Sequence, residues 1–297
     1  KESGKDEKKE KDRAEEKVEK LTPKEEKKEE KKSWHEREER PGVYPTAYGY
    51  TGTFLTPSAD KQPHEMGAVV AHYISVDQGG HDRETINNLH YDDYGGALVY
   101  GIAGDFEASL SFYRRSLTWD NPGINTQGGY NSEMLTLKYA PEGWIGSGAA
   151  AGPARIEDVR YALGVSHYRR TTTPGSPSGL ESGRSVTRWF AVASAGLLGG
   201  IGHFGIYSQT GRLIDDSKYD GFGFMGAYER KLDLALERKR EGLSIFGEYD
   251  HRAYYLMTLR TPVLGIRYYL QTYGTIQAGV VDLFGANGLT IGGSFLI

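Results

Sequence analysis

From about residue 64 to its end the chain repeats one pattern, in which apolar residues occupy alternate positions over a run and turn residues follow. In 106–115, Phe106, Leu110 and Phe112 fall on one face, whereas Glu107 and Arg115 fall on the other. A period of two residues is that of a β-strand with one apolar face. The pattern predicts twelve strands, with cores at 66–76, 92–103, 106–117, 131–140, 158–170, 186–198, 201–209, 220–230, 243–254, 263–271, 275–283 and 288–297. The segment 232–238 could add a strand or shift one, so the number of strands stays open there.

The predicted turns differ in length. Gly104-Asp105, Gly199-Gly200 and Tyr273-Gly274 predict tight turns. Short turns at one end and long loops at the other are typical of transmembrane β-barrels. Aromatic residues also gather near the predicted strand ends, where the girdles at the membrane interfaces of such barrels lie. The segments predicted as long polar loops are 77–90, 118–130, 171–185 and 209–218.

Two alternatives compete with a membrane barrel. A soluble sandwich or lipocalin-like barrel also alternates, but its outer face is polar. Here the face opposite the apolar one carries Gly, Ala and Ser beside scattered charges, which fits a lumen. A membrane-spanning helix over 189–206 is disfavoured, because Gly199, Gly200 and Gly202 interrupt it and His203 lies inside it. We therefore expect an all-β fold: an antiparallel transmembrane β-barrel of about 12 strands in the outer membrane of a Gram-negative-type cell envelope.

Charge divides the chain into two parts. Residues 1–40 contain fifteen basic and fifteen acidic residues, which leaves 21 basic and 25 acidic residues for the remainder. A stretch in which thirty of forty residues are charged has too few apolar residues to build a core. Residues 1–42 are therefore predicted to be a charged, disordered or helical periplasmic tail. The barrel is predicted over 43–297. With 40 Gly and 21 Tyr in the chain, composition also disfavours a helical protein and favours strands.

Charged residues recur on the strand face that is predicted to line the lumen. They either set the selectivity of a conduit, as charged rings do in pores, or pair with one another across a filled lumen. A barrel of this size lies between packed eight-stranded and open sixteen-stranded barrels, so both interpretations stay open. His203 is expected to face inward as well. The candidate lumen-lining residues are Glu107, Arg115, Lys138, Arg160, Arg170, Arg188, Glu229, Glu248, Asp250 and Arg267.

No motif of catalysis or metal binding stands out. The eight histidines are scattered, without a His-Glu-x-x-His motif, and cysteine is absent, which excludes a thiolate metal site. Ser166 and His167 are adjacent, so in a strand they face opposite sides and cannot form a catalytic pair. No segment is strongly basic, which gives no reason to expect nucleic acid. We expect no enzyme, no cofactor and no metal, with lipid of the outer membrane as the surroundings.

The segment before the first strand has a distinct composition. Residues 49–60 read Gly-Tyr-Thr-Gly-Thr-Phe-Leu-Thr-Pro-Ser-Ala-Asp. Pro57 cannot donate to a strand ladder, and Gly49 and Gly52 permit tight turns. The segment, with Thr51 and Thr56 among its polar residues, is predicted to be either a plug in the barrel mouth or a simple lead-in turn.

These residues resemble a known family. The run 49–60 is similar to the Gly-x-Thr-Gly segment followed by Thr-Pro and Ala that opens the YjbH-like family of outer-membrane β-barrels. The strands at 242–250, 263–268 and 277–283 are also similar to strands of that family, so the resemblance covers roughly 45–297 with gaps. It implies a channel-like outer-membrane protein associated with exopolysaccharide export.

Three functions follow from these observations. The leading one is a pore, or a component of an envelope export assembly for exopolysaccharide. The alternative is a structural or anchoring barrel with a plugged lumen that binds a protein partner, and the tail over 1–42 is the predicted contact for a periplasmic or envelope protein. A lipid hydrolase of the outer membrane is the third.

Overall fold

The computed structural model describes the barrel and part of the segment before it. The barrel unit comprises Pro41–Ile297. The tail predicted over 1–42 lies outside the described residues. The described residues are 45–46, 52–53, 55–78, 88–102, 104–121, 124–141, 157–172, 185–211, 221–232, 242–251, 261–270, 273–281 and 287–297.

Twelve antiparallel strands form one closed barrel. Each strand pairs with its neighbours in sequence, and the first pairs with the last, as in the partners Tyr73 and Ile291. Closure leaves no free sheet edge, which a backbone inside lipid requires. The strands are β1 (Gly67–Gln78), β2 (Asn88–Gly101), β3 (Phe106–Asn121), β4 (Ile124–Tyr139), β5 (Glu157–Thr172), β6 (Ser185–Leu197), β7 (Gly200–Gly211), β8 (Gly221–Leu232), β9 (Gly242–Asp250), β10 (Thr261–Leu270), β11 (Gly274–Val281) and β12 (Asn287–Leu296).

The predicted fold class is confirmed, and each predicted strand core overlaps one observed strand. The alternation in β3 runs as expected: Leu110 and Phe112 are exposed on the outside, whereas Glu107 and Arg115 are buried inside. Ser166 is buried and His167 is exposed, so these two neighbours do face opposite sides. Among the described residues, no helix is long and apolar enough to cross a membrane.

The two ends of the barrel differ. The turn end, as we call it, holds the start of β1 at Gly67, the chain end at Ile297 and the turns at Gly104 and Gly199. Both turn glycines have positive φ, 72° and 75°, a conformation that costs glycine little. The opposite end, called the far end, holds the β3–β4 hairpin.

The outer surface is apolar over a band and polar beyond it. Leu98, Leu135 and Leu163 are exposed on the band, where a soluble protein would place polar residues. Outward positions nearer the far end are polar instead, as at Arg114 and Arg169. Exposed aromatic side chains border the band at both limits, as the girdles of membrane barrels do: Tyr100, Phe106 and Tyr139 toward the turn end, and Tyr73 and Tyr94 toward the far end.

One predicted loop is wrong. Residues 118–121 belong to β3 and 124–130 to β4, and the two strands pair out to Asn121 and Ile124. The polar side chains of this segment suggested a loop. The backbone ladder, however, forms regardless of side-chain polarity once both strands leave the apolar band.

The expected separation of short turns from long loops holds only in part. Two connections at the turn end, 140–156 and 233–241, are long, and their residues are mostly outside the described part of the chain. Of the segment 232–238, where the sequence leaves the number of strands open, only Leu232 lies among the described residues, and it ends β8. Alternation along strands carries no information on connection length, which explains the error.

The outer band makes a prediction. Leu135→Arg places a charge on a side chain that is 58% exposed in the middle of the band, so we expect a loss of about 2–4 kcal/mol in unfolding free energy in lipid vesicles. Ser116→Arg, on the outward face of β3 beyond the band, is the matched control and should cost less than about 1 kcal/mol. Urea unfolding followed by tryptophan fluorescence measures both, and equal effects would contradict a lipid-facing band.

Candidate functional site in the barrel lumen

The ten predicted lumen residues all lie on the inner face of the barrel. Nine of them are buried, and the side chain of Arg160 is 15% exposed. Three ion pairs form directly between these residues. Lys138 Nζ lies 2.9 Å from Glu107 Oε1, Arg188 Nη1 lies 2.9 Å from Asp250 Oδ2, and Arg267 Nη1 lies 2.8 Å from Glu229 Oε2.

Two further carboxylates complete pairs that the sequence analysis did not assign. Arg115 Nε donates to Asp93 Oδ1 at 2.8 Å, and Arg160 pairs with Asp60. Asp93 shares the inward parity of its strand and pairs in register with Arg115, so strand pairing could have identified it. Asp60 precedes the barrel strands, and alternation gives no signal for it.

The wall toward the turn end contains a dense polar network. Ser244 Oγ and Tyr269 Oη both donate to Glu229, whose other oxygen accepts from Arg267. Arg267 also donates to Gln277 Oε1 from Nε at 3.0 Å and from Nη2 at 2.9 Å. Glu229 and Arg267 are both fully buried, so this network replaces the water that the two charges lose.

The wall toward the far end is rich in arginine stacked on tyrosine. The Arg188 guanidinium lies 3.8 Å from the ring centroid of Tyr207, whose hydroxyl donates to Asp250 at 2.8 Å. The Arg170 guanidinium lies 4.0 Å from the ring centroid of Tyr130. Nε and Nη1 of Arg170 are buried without a hydrogen-bond partner, so this cation differs from its paired neighbours.

Residues 55–62, here called the lumen segment, lie inside the barrel. A turn leads into it and includes its first residues; in this turn Thr53 N donates to Thr56 O at 3.0 Å. Gly52 is required there, because a Cβ would lie 2.1 Å from Thr56 O and 2.9 Å from Pro57 Cα. The predicted residues Gly52, Thr56 and Pro57 therefore build this turn, whereas Gly49 and Thr51 lie outside the described residues.

Wall side chains bind the backbone of the lumen segment. Glu248 accepts the amides of Leu55, at 2.8 and 2.9 Å, and of Thr56, at 3.0 Å. Lys138 Nζ donates to Asp60 O at 2.5 Å. Further along, Gln62 N donates to Glu107 Oε2 at 2.8 Å. The segment thus crosses the lumen from β9 to β3, and its polar backbone is satisfied by charged wall groups.

An unpredicted serine–histidine pair also contacts the lumen segment. Ser194 Oγ lies 2.7 Å from His203 Nδ1 and accepts the amide of Ala59 at 2.7 Å. A hydrolytic pair needs a third group that orients the histidine. His203 Nε2 has no hydrogen-bond partner, and the pair is buried beneath the lumen segment. The observed role is to hold Ala59. Within the described residues, no cluster of histidines and carboxylates could hold a metal ion.

Comparison with known proteins yields likeness in fold alone. No family model matches the chain, and no curated protein matches it. An outer membrane channel from Pseudomonas putida F1 has 12% identity and a TM-score of 0.46, with 79% of this chain and 96% of that chain covered. The KdgM porin in complex with disordered oligogalacturonate has 10% identity and a TM-score of 0.42, with coverage of 77% and 98%. Outer membrane phospholipase A from Escherichia coli has 13% identity and a TM-score of 0.40, with coverage of 79% and 93%.

The buried Glu229 network makes a prediction. Glu229→Gln leaves the Arg267 cation buried without its counter-charge, so we expect a loss of about 3–5 kcal/mol in unfolding free energy. Glu133→Gln is the matched control. It breaks a pair with Arg169 on the outer wall at 3.8 Å, with side chains 43% and 57% exposed, and should cost less than about 1 kcal/mol. Urea unfolding in vesicles measures both variants, and a small loss for Glu229→Gln would mean that water reaches this part of the lumen.

Proposed function

We propose that the protein is a non-enzymatic outer-membrane conduit whose lumen is closed at rest by the lumen segment, which acts as a displaceable plug. The observation that carries this proposal is how the segment is held. Wall groups bind it through its backbone amides and carbonyls, as at Glu248, Lys138 and Ser194. Water can replace each of these bonds, so displacement exposes groups that hydrate well.

The chemistry of the wall supports a path rather than a permanently filled interior. Buried ion pairs contribute little stability, because the loss of hydration offsets the attraction between the charges. Apolar packing would fill a purely structural barrel more stably. The inner face instead keeps charged side chains at every level, from Glu107 near the turn end to Arg170 near the far end. Such a wall is suited to water and polar solutes once the plug leaves.

We also propose an envelope context for the conduit. The apolar outer band and the aromatic borders support a location in the outer membrane of a Gram-negative-type envelope. The resemblance of 49–60 to the YjbH-like family supports a place in an export assembly for exopolysaccharide. In this proposal residues 1–42 extend into the periplasm, bind an envelope partner and transmit its action to the plug.

An anchoring barrel is the second candidate, favoured by one observation. Five ion pairs, four of them buried, and the lumen segment occupy the described lumen. A barrel that stays closed in this way would serve as a membrane anchor for a partner protein. The two functions differ in one measurable respect: a displaceable plug allows ion flow, and a permanent one does not.

A single substitution separates the two candidates. Gly52→Val introduces side-chain atoms where a Cβ already lies 2.1 Å from Thr56 O, so the turn cannot form, while every wall side chain is kept. We expect the open fraction in single-channel recordings from planar bilayers to rise at least about tenfold, the effect of 1.4 kcal/mol.

Gly202→Ala is the matched control, because its Cβ would meet Leu197 Cδ2 at an ordinary 3.7 Å. It should record like the parent protein. Insertion of both variants is verified by heat-modifiable migration in gels. A Gly52→Val protein that inserts correctly but shows no conductance would refute the conduit and favour the anchoring barrel.

A further inference from the structure

We infer that the opened lumen selects anionic solutes, and that Arg170 and Arg160 on β5 bind their oxyanion groups. This inference rests on the proposed conduit and adds the class of solute. It follows from the balance of charge on the described wall, from what the lumen segment presents to that wall, and from Arg170, whose Nε and Nη1 lack a hydrogen-bond partner.

The described wall carries six inward-facing cations and five inward-facing carboxylates, and all of them except the partly exposed Arg160 are buried. The cations are Arg115, Lys138, Arg160, Arg170, Arg188 and Arg267. The carboxylates are Asp93, Glu107, Glu229, Glu248 and Asp250. The sixth carboxylate in the lumen is Asp60, which belongs to the lumen segment. The segment also carries Lys61, which pairs with Asp105 in the turn between β2 and β3, so its withdrawal removes no net charge. It does take Asp60 away from Arg160 and leaves six cations and five carboxylates on the described wall.

The lumen segment presents oxygen atoms where a solute anion would bind. The Asp60 carboxylate pairs with Arg160, and its main-chain carbonyl accepts from Lys138 Nζ at 2.5 Å. Asp60 Oδ2 has no hydrogen-bond partner, so the carboxylate does not occupy the site with both oxygens. A carboxylate or phosphate with free rotation can use both, which gives it an advantage over the tethered Asp60.

Arg170 provides a second position on the same strand face. It lies ten residues beyond Arg160, roughly 33 Å along the strand at 3.3 Å per residue. Its guanidinium stacks on Tyr130, and Nε and Nη1 on its edge lack a partner. An arginine edge matches an oxyanion in a bidentate fork, and buried N–H groups that lack a hydrogen bond gain the most from such a partner.

The other arginines on the wall toward the far end already form ion pairs. Arg115 lies 5.7 Å from the ring centroid of Tyr130 and is paired with Asp93. Arg188 is paired with Asp250. Glu248 is the opposing group: it binds the amides of the lumen segment and becomes available to solvent when the segment leaves. The path therefore offers two arginine sites for anions and one carboxylate against them.

The reversal potential in a KCl gradient tests this inference on the Gly52→Val protein. We expect chloride to be more permeant than potassium, and Glu248→Gln in the same background to increase that preference. Arg170→Gln should remove most of the preference. Arg169→Gln, the adjacent residue on the outer face, is the matched control and should leave it unchanged.

Inorganic phosphate is the second probe. We expect it to block the chloride current, and Arg170→Gln to weaken the block at least about tenfold, as the loss of a charge-assisted hydrogen bond would. Arg170→Lys keeps the charge and loses the fork, so it should keep chloride preference with a weaker block, which decides the matter if Arg170→Gln does not insert. A conducting protein that prefers potassium overturns the inference alone, whereas a correctly inserted Gly52→Val protein without conductance overturns the proposed conduit.

Discussion

A charge that faces the lumen is stable there only with partners inside the lumen, and most of the structure depends on this constraint. Lipid surrounds the barrel wall, and it offers no hydrogen bonds to a buried charge. Neighbouring strands meet part of the demand through cross-strand pairs such as Lys138 with Glu107. Glu248 instead binds backbone amides of Leu55 and Thr56, so the lumen segment completes what the wall cannot satisfy alone.

This dependence works in both directions. Several amides of the lumen segment have no sheet partner, and two wall carboxylates and the Ser194 hydroxyl accept their hydrogen bonds instead. The segment in turn places the Asp60 carboxylate against Arg160 of the wall. Apart from Ala59, which packs against Ala140, Ala162 and Val192, the contacts named here are polar, and water can replace them at moderate cost. A barrel built this way is closed at rest and can be opened.

The strands could be predicted from the sequence more completely than the contacts in the lumen. Alternation of residues such as Leu110 and Glu107 sets both faces of each strand, and so fixes which charges face inward. The Ser194–His203 pair was also within reach, because a tight turn at Gly199 sets the register that makes them partners. The pair between Asp60 and Arg160 could not be predicted, since it joins an irregular segment to a strand one hundred positions away. The loop predicted over 118–130 failed because polarity was taken as a signal for a loop, although a ladder outside the membrane tolerates polar side chains.

The most direct measurement is a reversible lock on the lumen segment. The chain has no cysteine, so Ala59→Cys with Ser194→Cys introduces a single disulfide where Ala59 N and Ser194 Oγ now lie 2.7 Å apart. Both changes are made in the Gly52→Val background and recorded in one bilayer before and after reduction. The account predicts silence while the disulfide is intact and stepwise conductance after reduction. Equal conductance in both states would contradict it, because ions would then pass without movement of the lumen segment.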